Sequence, residues 1–385
     1  MLRHAFALGF LLPLIASAQA PRPIPAPAVV ETAVRGVLAR TKANALALAI
    51  VEGGQVKYVA AFGIRNARGE KLETDTVMYG ASLTKLVFAY AVMQCVDAGK
   101  LKLDVPLADY LEKPLPEYPA YSALAGDPRW RKITARLALT HSTGFANFAF
   151  LEPDRKLRIH FEPGARYAYS GEGLLLLQFV LESGRKDRGL GLDVGELTNT
   201  LFRKLGMTRT SLQWRADFVG NVADGWNDQG APQPHDERGR VRAAGSMDTT
   251  IRDMATFAAA LVRGEGLSAT ARAELARPQL AIGTAHQFPT LAPELPSAQR
   301  RADLRAGLGV VTFDGLQGPG FYKGGHDEQT ANTLVCLERG QRAIVILAND
   351  VRAEAGFAEL VQLVLGETGV PYDWEYGDVA GKSNG

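Results

Sequence analysis

The chain has few of the residues that mark disulfide, metal or nucleic-acid chemistry. Only two cysteines, Cys95 and Cys336, occur in 385 residues, too few for a disulfide scaffold. Both lie in apolar runs, where a buried free thiol is expected rather than a bridge. The six histidines, His4, His141, His160, His235, His286 and His326, show no ligand spacing, and there is no Cys-x-x-Cys. No metal or other cofactor is therefore implied. Lys and Arg total 43 against 41 Asp and Glu, a net charge of +2. Without a long basic run, nucleic acid is not expected as a partner. No internal repeat is present either.

Long apolar runs are also missing. The longest near the N-terminus is Ala5 to Ile15, well short of the roughly 20 residues that cross a bilayer. It follows Met1-Leu2-Arg3-His4 and precedes Ala16-Ser17-Ala18, the basic start, apolar core and small-x-small exit of a secretory signal peptide. The expectation is a signal at 1–18, export to the periplasm or medium, and no membrane span after cleavage. A Pro-rich linker at 19–28 follows.

Periodicity organises the rest. An amphipathic helix is expected near Val29 to Lys42, then two strands, Ala45 to Glu52 and Gln55 to Phe62, turned at Gly53-Gly54. The middle third reads as helices, Gly173 to Leu181 and Gly195 to Leu205 among them, separated by long loops. Strands return at Gly307 to Phe313, Gly320 to Gly325, Gln329 to Glu338 and Arg342 to Asn349, closed by a helix at Ala355 to Leu365. Arg277 to Arg301 reads as a long surface loop. This order implies an α/β (α+β) chain with one sheet built from both ends, residues 29–80 and 245–370, flanked by helices. An all-helical domain, 81–244, is inserted, and 371–385 forms a tail.

The candidate chemistry starts at Tyr79-Gly80-Ala81-Ser82-Leu83-Thr84-Lys85, which runs into the apolar stretch Leu86 to Met93. One helical turn places Ser82 and Lys85 on the same face. A serine hydroxyl needs a base to become a nucleophile, and a neutral lysine is one such base. The helix N-terminus favours the developing negative charge. No Gly-x-Ser-x-Gly surrounds Ser82, which argues against a Ser-His-Asp elbow. A second Ser-x-x-Lys, Ser183 to Lys186, lies among charges and glycines and reads as solvated loop. Tyr169, in Tyr167-Ala168-Tyr169-Ser170-Gly171, is a candidate proton relay. Tyr322-Lys323-Gly324-Gly325-His326 offers a cation and glycines that let a substrate approach a strand edge. Lys204-Leu205-Gly206 also fits Lys-x-Gly, so order and position carry the assignment.

In that order these segments resemble the serine β-lactamase and penicillin-binding protein superfamily, most closely class C β-lactamases and β-lactamase-like esterases. Ser82 to Lys85 is similar to its Ser-x-x-Lys, Tyr169-Ser170-Gly171 stands where it has Tyr-x-Asn, and Lys323-Gly324-Gly325 where it has Lys-Thr-Gly. Leu139-Thr140-His141-Ser142-Thr143-Gly144 looks like its Leu-Thr-His-x-x-Gly, a structural turn below the site. The resemblance implies an antiparallel sheet with an inserted helical domain, and acyl transfer through Ser82. Lys85 and Tyr169 would manage protons, and the N–H groups of Ser82 and His326 would hold the oxyanion. Gly171 and Gly324 depart from the pattern by removing an amide and a hydroxyl. Both shift the expectation from a β-lactam specialist to a hydrolase of esters, β-lactams or small amides. The alternatives are a class C-type β-lactamase or DD-peptidase acting on cell-wall peptides, and a non-catalytic penicillin-recognising module.

Overall fold

The computed structural model describes residues 22–377, so the expected signal peptide lies outside the described residues. Eight antiparallel strands form the main sheet: β1 (Ala45–Glu52), β2 (Gln55–Gly63), β3 (Leu280–Ala281), β4 (Arg305–Ala306), β5 (Val311–Gly315), β6 (Gly318–His326), β7 (Ala331–Leu337) and β8 (Arg342–Ala348). Their order is β2-β1-β8-β7-β6-β5-β4-β3, so the N-terminal hairpin joins the last strand of the chain. Gly53 and Gly54 turn that hairpin with φ of 60° and 68°, the left-handed conformation a two-residue turn requires.

Strand alternation splits the core in two. Ala45, Ala47, Ala49 and Val51 point to one face, and Leu46, Leu48 and Ile50 to the other. Residue β1 Ala49 pairs with Val345 and Ile50 with Ile344, so β8 follows the same division. The first face is covered by α2 (Leu83–Asp97) and α5 (Ile251–Arg263), the second by α1 (Pro27–Thr41) and α6 (Phe357–Leu365). Each fully buried Leu or Ile contributes about 1.5–3 kcal/mol of transfer free energy. A charge at Ile344 would face the second core without a partner.

Between these helices in the chain come α3 (Gly171–Ser183) and α4 (Val194–Leu205). Helix α2 buries twelve of its fifteen residues, because it is apolar around its whole circumference. Helix α3 starts where Ser170 Oγ accepts the Gly173 N–H at 3.1 Å, a side-chain cap.

Three expectations need correction. Arg277 to Arg301, read as a loop, carries the edge strand β3, whose Leu280 and Ala281 pair with Ala306 and Arg305. The strand expected at Gly307 to Phe313 is interrupted: Gly307 to Val310 turn so that Leu308 and Gly309 donate to the Leu275 and Leu139 carbonyls. Gly309 has φ 76°, and a Cβ there would lie 2.6 Å from Ala89 of α2. The expected tail also begins with a docked helix, α7 (Tyr372–Tyr376). Trp374 is buried there and its Nε1 donates to Thr284 Oγ1 at 3.2 Å, an indole seated with its one donor satisfied.

Cys95 and Cys336 are both free and buried, and burial raises both thiols. Neither is expected to react with a thiol reagent in the native protein at pH 8, and both should titrate in guanidinium without reductant. Zero thiols after denaturation would reveal a bridge.

Candidate active site

Ser82 is the N-cap of α2 and follows Ala81, whose φ is +46°. A non-glycine residue in that region is strained by about 1–3 kcal/mol. The turn sets the serine at the helix entrance, where the Leu83, Thr84 and Lys85 N–H groups close back on Gly80, Ala81 and Ser82 carbonyls at 3.0–3.1 Å. The Ser82 N–H has no such partner among the described residues.

One turn on, Lys85 is 1% exposed. Its Nζ donates to Ser82 Oγ at 2.9 Å and to the Ala244 carbonyl at 2.5 Å. Burial pulls the Lys85 amine below its usual range, and the Lys323 charge adds to this, against an opposing pull from Tyr169. Tyr169 lies just before α3, buried, with its hydroxyl 3.4 Å from Lys323 Nζ and in hydrogen-bond reach of Ser82 and Lys85. Burial raises its phenol, but the two lysines outweigh it and bring the group down to about 8.

Lys323 occupies the middle of β6, 5% exposed, and also donates to the Gly324 carbonyl at 2.6 Å. Two residues along, β6 passes directly against the start of α2. A Cβ on Gly325 would lie 2.8 Å from the Gly80 carbonyl oxygen and 3.1 Å from Ser82 N. Only glycine permits that approach. The exposed His326 ring turns to Glu354, with Nδ1 2.9 Å from Oε1. Burial lowers its pKa, and Glu354 more than reverses this, so the net shift is upward.

All seven expected site residues, Ser82, Lys85, Tyr169, Lys323, Gly324, Gly325 and His326, therefore line one cleft of about 1190 Å3. The two decoys stay outside it. Ser183 and Lys186 are separated by Gly184 in an extended conformation, and Gly206, φ 74°, is the C-cap of α4. His141 and Ser142 form no dyad. The His141 ring packs on Tyr169 at 4.5 Å, its Nδ1 3.1 Å from both the backbone nitrogen and the carbonyl oxygen of Ser170, while Ser142 Oγ meets Thr140 Oγ1 at 2.9 Å. Burial, then Lys85 and Lys323, hold His141 well below its usual range.

Sequence reasoning missed the opposite wall. A Cβ on Gly171 would lie 2.3 Å from Phe148 Cε1, so the Phe148 ring fills the space a side chain at 171 would enter. Phe148 stacks on Phe150 at 5.1 Å, and Phe288, half exposed, meets Tyr169 edge-on at 5.5 Å. Asn147 Oδ1 accepts the Gly171 N–H at 3.0 Å. That donor fixes the orientation of the amide and leaves its NH2 without a partner among the described residues. The run Phe145-Ala146-Asn147-Phe148-Ala149-Phe150 was the available signal, but nothing in it points to Gly171, 23 residues away from Phe148.

The Beta-lactamase family description matches residues 30–366. Lovastatin esterase of Penicillium rubens is 38% identical over 112 residues, 26% of this chain and 27% of that protein. Monacolin J acid methylbutanoyltransferase of Aspergillus terreus is 32% identical over 236 residues, 51% and 54% respectively. The chain thus spans about a quarter to a half of the length of these relatives. Among solved structures, an octameric penicillin-binding protein homologue from Pyrococcus abyssi superposes with TM-score 0.70 at 19% identity, covering 90% of this chain and 78% of that one. A D-alanine carboxypeptidase from Burkholderia cenocepacia does so with TM-score 0.67 at 18% identity, covering 88% and 99%. At such identities these two establish a shared fold alone, and it is the family match over residues 30–366 that shows the chain to belong to the beta-lactamase family.

Proposed function

We infer that this protein is an exported serine hydrolase that forms an acyl-enzyme on Ser82 and favours esters over amides. The observation that carries this reading is the 2.9 Å contact between Lys85 Nζ and Ser82 Oγ beside a tyrosine brought down to about 8. In the active protonation state the Lys85–Tyr169 pair takes the Ser82 proton as Oγ attacks the carbonyl carbon. The Ser82 and His326 N–H groups stabilise the oxyanion. The alkoxide leaves with the proton returned through Tyr169, and water, deprotonated by the same pair, cleaves the ester to Ser82. The sheet segments 29–80 and 245–370 and the helical segment 81–244 would meet at this cleft.

The preference for esters rests on the Phe148–Gly171 contact. An amide or β-lactam substrate has a carboxamide that a polar side chain at 171 would grip, and the aromatic ring occupies that space. An ester has a better leaving group and less need of that grip. That two relatives are an esterase and an acyltransferase supports the same reading.

Ser82→Ala should lower p-nitrophenyl butyrate turnover by at least about a thousandfold, with little cephalosporin turnover by the parent enzyme. Strong cephalosporin turnover would replace the ester reading with β-lactamase. No Ser82-dependent turnover of either would leave a peptidase or a non-catalytic module.

Because the base form of the pair lies above its apparent pKa, kcat/KM should rise with pH through an inflection near 8. Tyr169→Phe should remove that inflection and about 10²–10⁴ of the rate. An unchanged profile in the variant would exclude Tyr169 from the proton path.

Gly171→Asn should cost about 1–3 kcal/mol by overpacking against Phe148. Adding Phe148→Ala should restore most of that stability and raise cephalosporin turnover relative to ester turnover. Additive losses in the double variant would show that the two positions do not share this space.

A further inference from the structure

Beside Phe148 the cleft is lined by the irregular segment from Asp236 to Ser246, whose arginines differ in how they are held. Arg238 is committed: its guanidinium lies 3.4 Å from the centre of the Tyr79 ring, and it reaches both Asp236 and the buried Asp248 at 3.6 Å. Arg240 and Arg242 are not. Both are exposed and line the cleft, and no carboxylate lies within ion-pair distance of either among the described residues.

Their position ties them to the reacting groups. Arg242 is two residues before Ala244, whose carbonyl receives Lys85 Nζ, and its guanidinium lies 5.9 Å from the centre of the Phe148 ring. Its backbone N–H is anchored on Ser246 Oγ at 2.9 Å. Arg240, two residues earlier in the chain, lines the same cleft.

Most acids of the cleft are already engaged. Asp327 accepts the Gln329 and Thr330 N–H groups, Glu354 meets His326, Asp236 meets Arg238, and Glu375 is also partnered. Exposed Glu237 is outnumbered by Arg240 and Arg242. The cleft mouth therefore combines uncommitted positive charge with an apolar surface of Phe148, Phe150 and Phe288, of which the last two are 58% and 49% exposed.

We propose that Arg240 and Arg242 form an anion subsite beside the Phe148–Phe150 wall, and that the substrate is an amphipathic ester carrying an acid group. This rests on the ester reading above for its catalytic consequence, but the subsite itself is a binding property. An arginine meets a carboxylate through a planar fork of donors, and the neighbouring rings cover the apolar portion. The carboxylate belongs either to the acyl chain or to the leaving group.

The test compares three esters of matched acyl length: p-nitrophenyl hexanoate, mono-p-nitrophenyl adipate and 3-hexanoyloxybenzoate. The wild-type enzyme should prefer one of the two anionic esters to the neutral one, and the preferred one identifies the side that bears the acid. In R240Q/R242Q the ratio of kcat/KM for that ester to kcat/KM for the neutral ester should fall about tenfold, and salt should erode it in the wild type. A ratio unchanged by the substitutions overturns the proposal.

A second comparison does not depend on catalysis. Phenylacetate should bind the Ser82→Ala protein more tightly than phenylacetamide by calorimetry, and adding R240Q/R242Q should abolish the difference. Equal binding, or binding of neither, overturns the subsite. Absence of ester turnover with the phenylacetate preference intact would sink the hydrolase reading and leave the subsite standing.

Discussion

Two buried lysines around one buried tyrosine set the terms for the rest of this structure. Removing an ammonium from water is costly unless it is paired or gives up its proton. Lys85 and Lys323 are 1% and 5% exposed, and Tyr169 lies between them. The tyrosine moves down because ionising it neutralises its neighbours, and Lys85 moves down because burial and Lys323 disfavour its charge. Placement alone brings the Tyr169 phenol down to about 8 and the Lys85 amine below its usual range, without a histidine.

That placement requires a rigid frame. Ser82 and Lys85 are on a helix buried on almost every side, and Lys323 on a strand flanked by two others. The Gly325 backbone lets that strand reach the helix entrance. Tyr169 comes from a loop between the two, which is why it needs extra support. His141 supplies it, with its ring on the tyrosine and its Nδ1 against the Ser170 backbone. The neutral imidazole avoids placing a third cation against the lysines.

Much of this was legible in the sequence because it depends on local pattern. Unbroken apolar runs in Ala45 to Glu52 and Arg342 to Asn349 yield strands buried on both faces, and the Gly53-Gly54 turn specifies the hairpin. Ser82, Lys85, Tyr169 and Lys323 could be chosen over their decoys because helix and strand context separates them. What was not legible depends on contacts distant in sequence. The Gly307 to Val310 turn exists because Gly309 must clear Ala89 of α2, and the start of the expected tail is held by Thr284 through Trp374. Neither constraint leaves a mark in its own segment.

The same distinction explains why the family pattern and the cleft wall diverge here. Replacing an asparagine by Gly171 removes a donor and also removes volume, and an interior does not leave such volume empty. Phe148 takes it, from a loop whose Asn147 holds the Gly171 N–H. The change is thus a substitution of one recognition surface by another, polar by aromatic, with the proton-transfer groups left in place. On the proposed reading, a cleft that keeps Ser82 and Lys85 while exchanging amide donors for rings would retain its capacity for acyl transfer. What it exchanges is the part of the substrate it grips, and the uncommitted arginines beside those rings extend that grip from shape to charge.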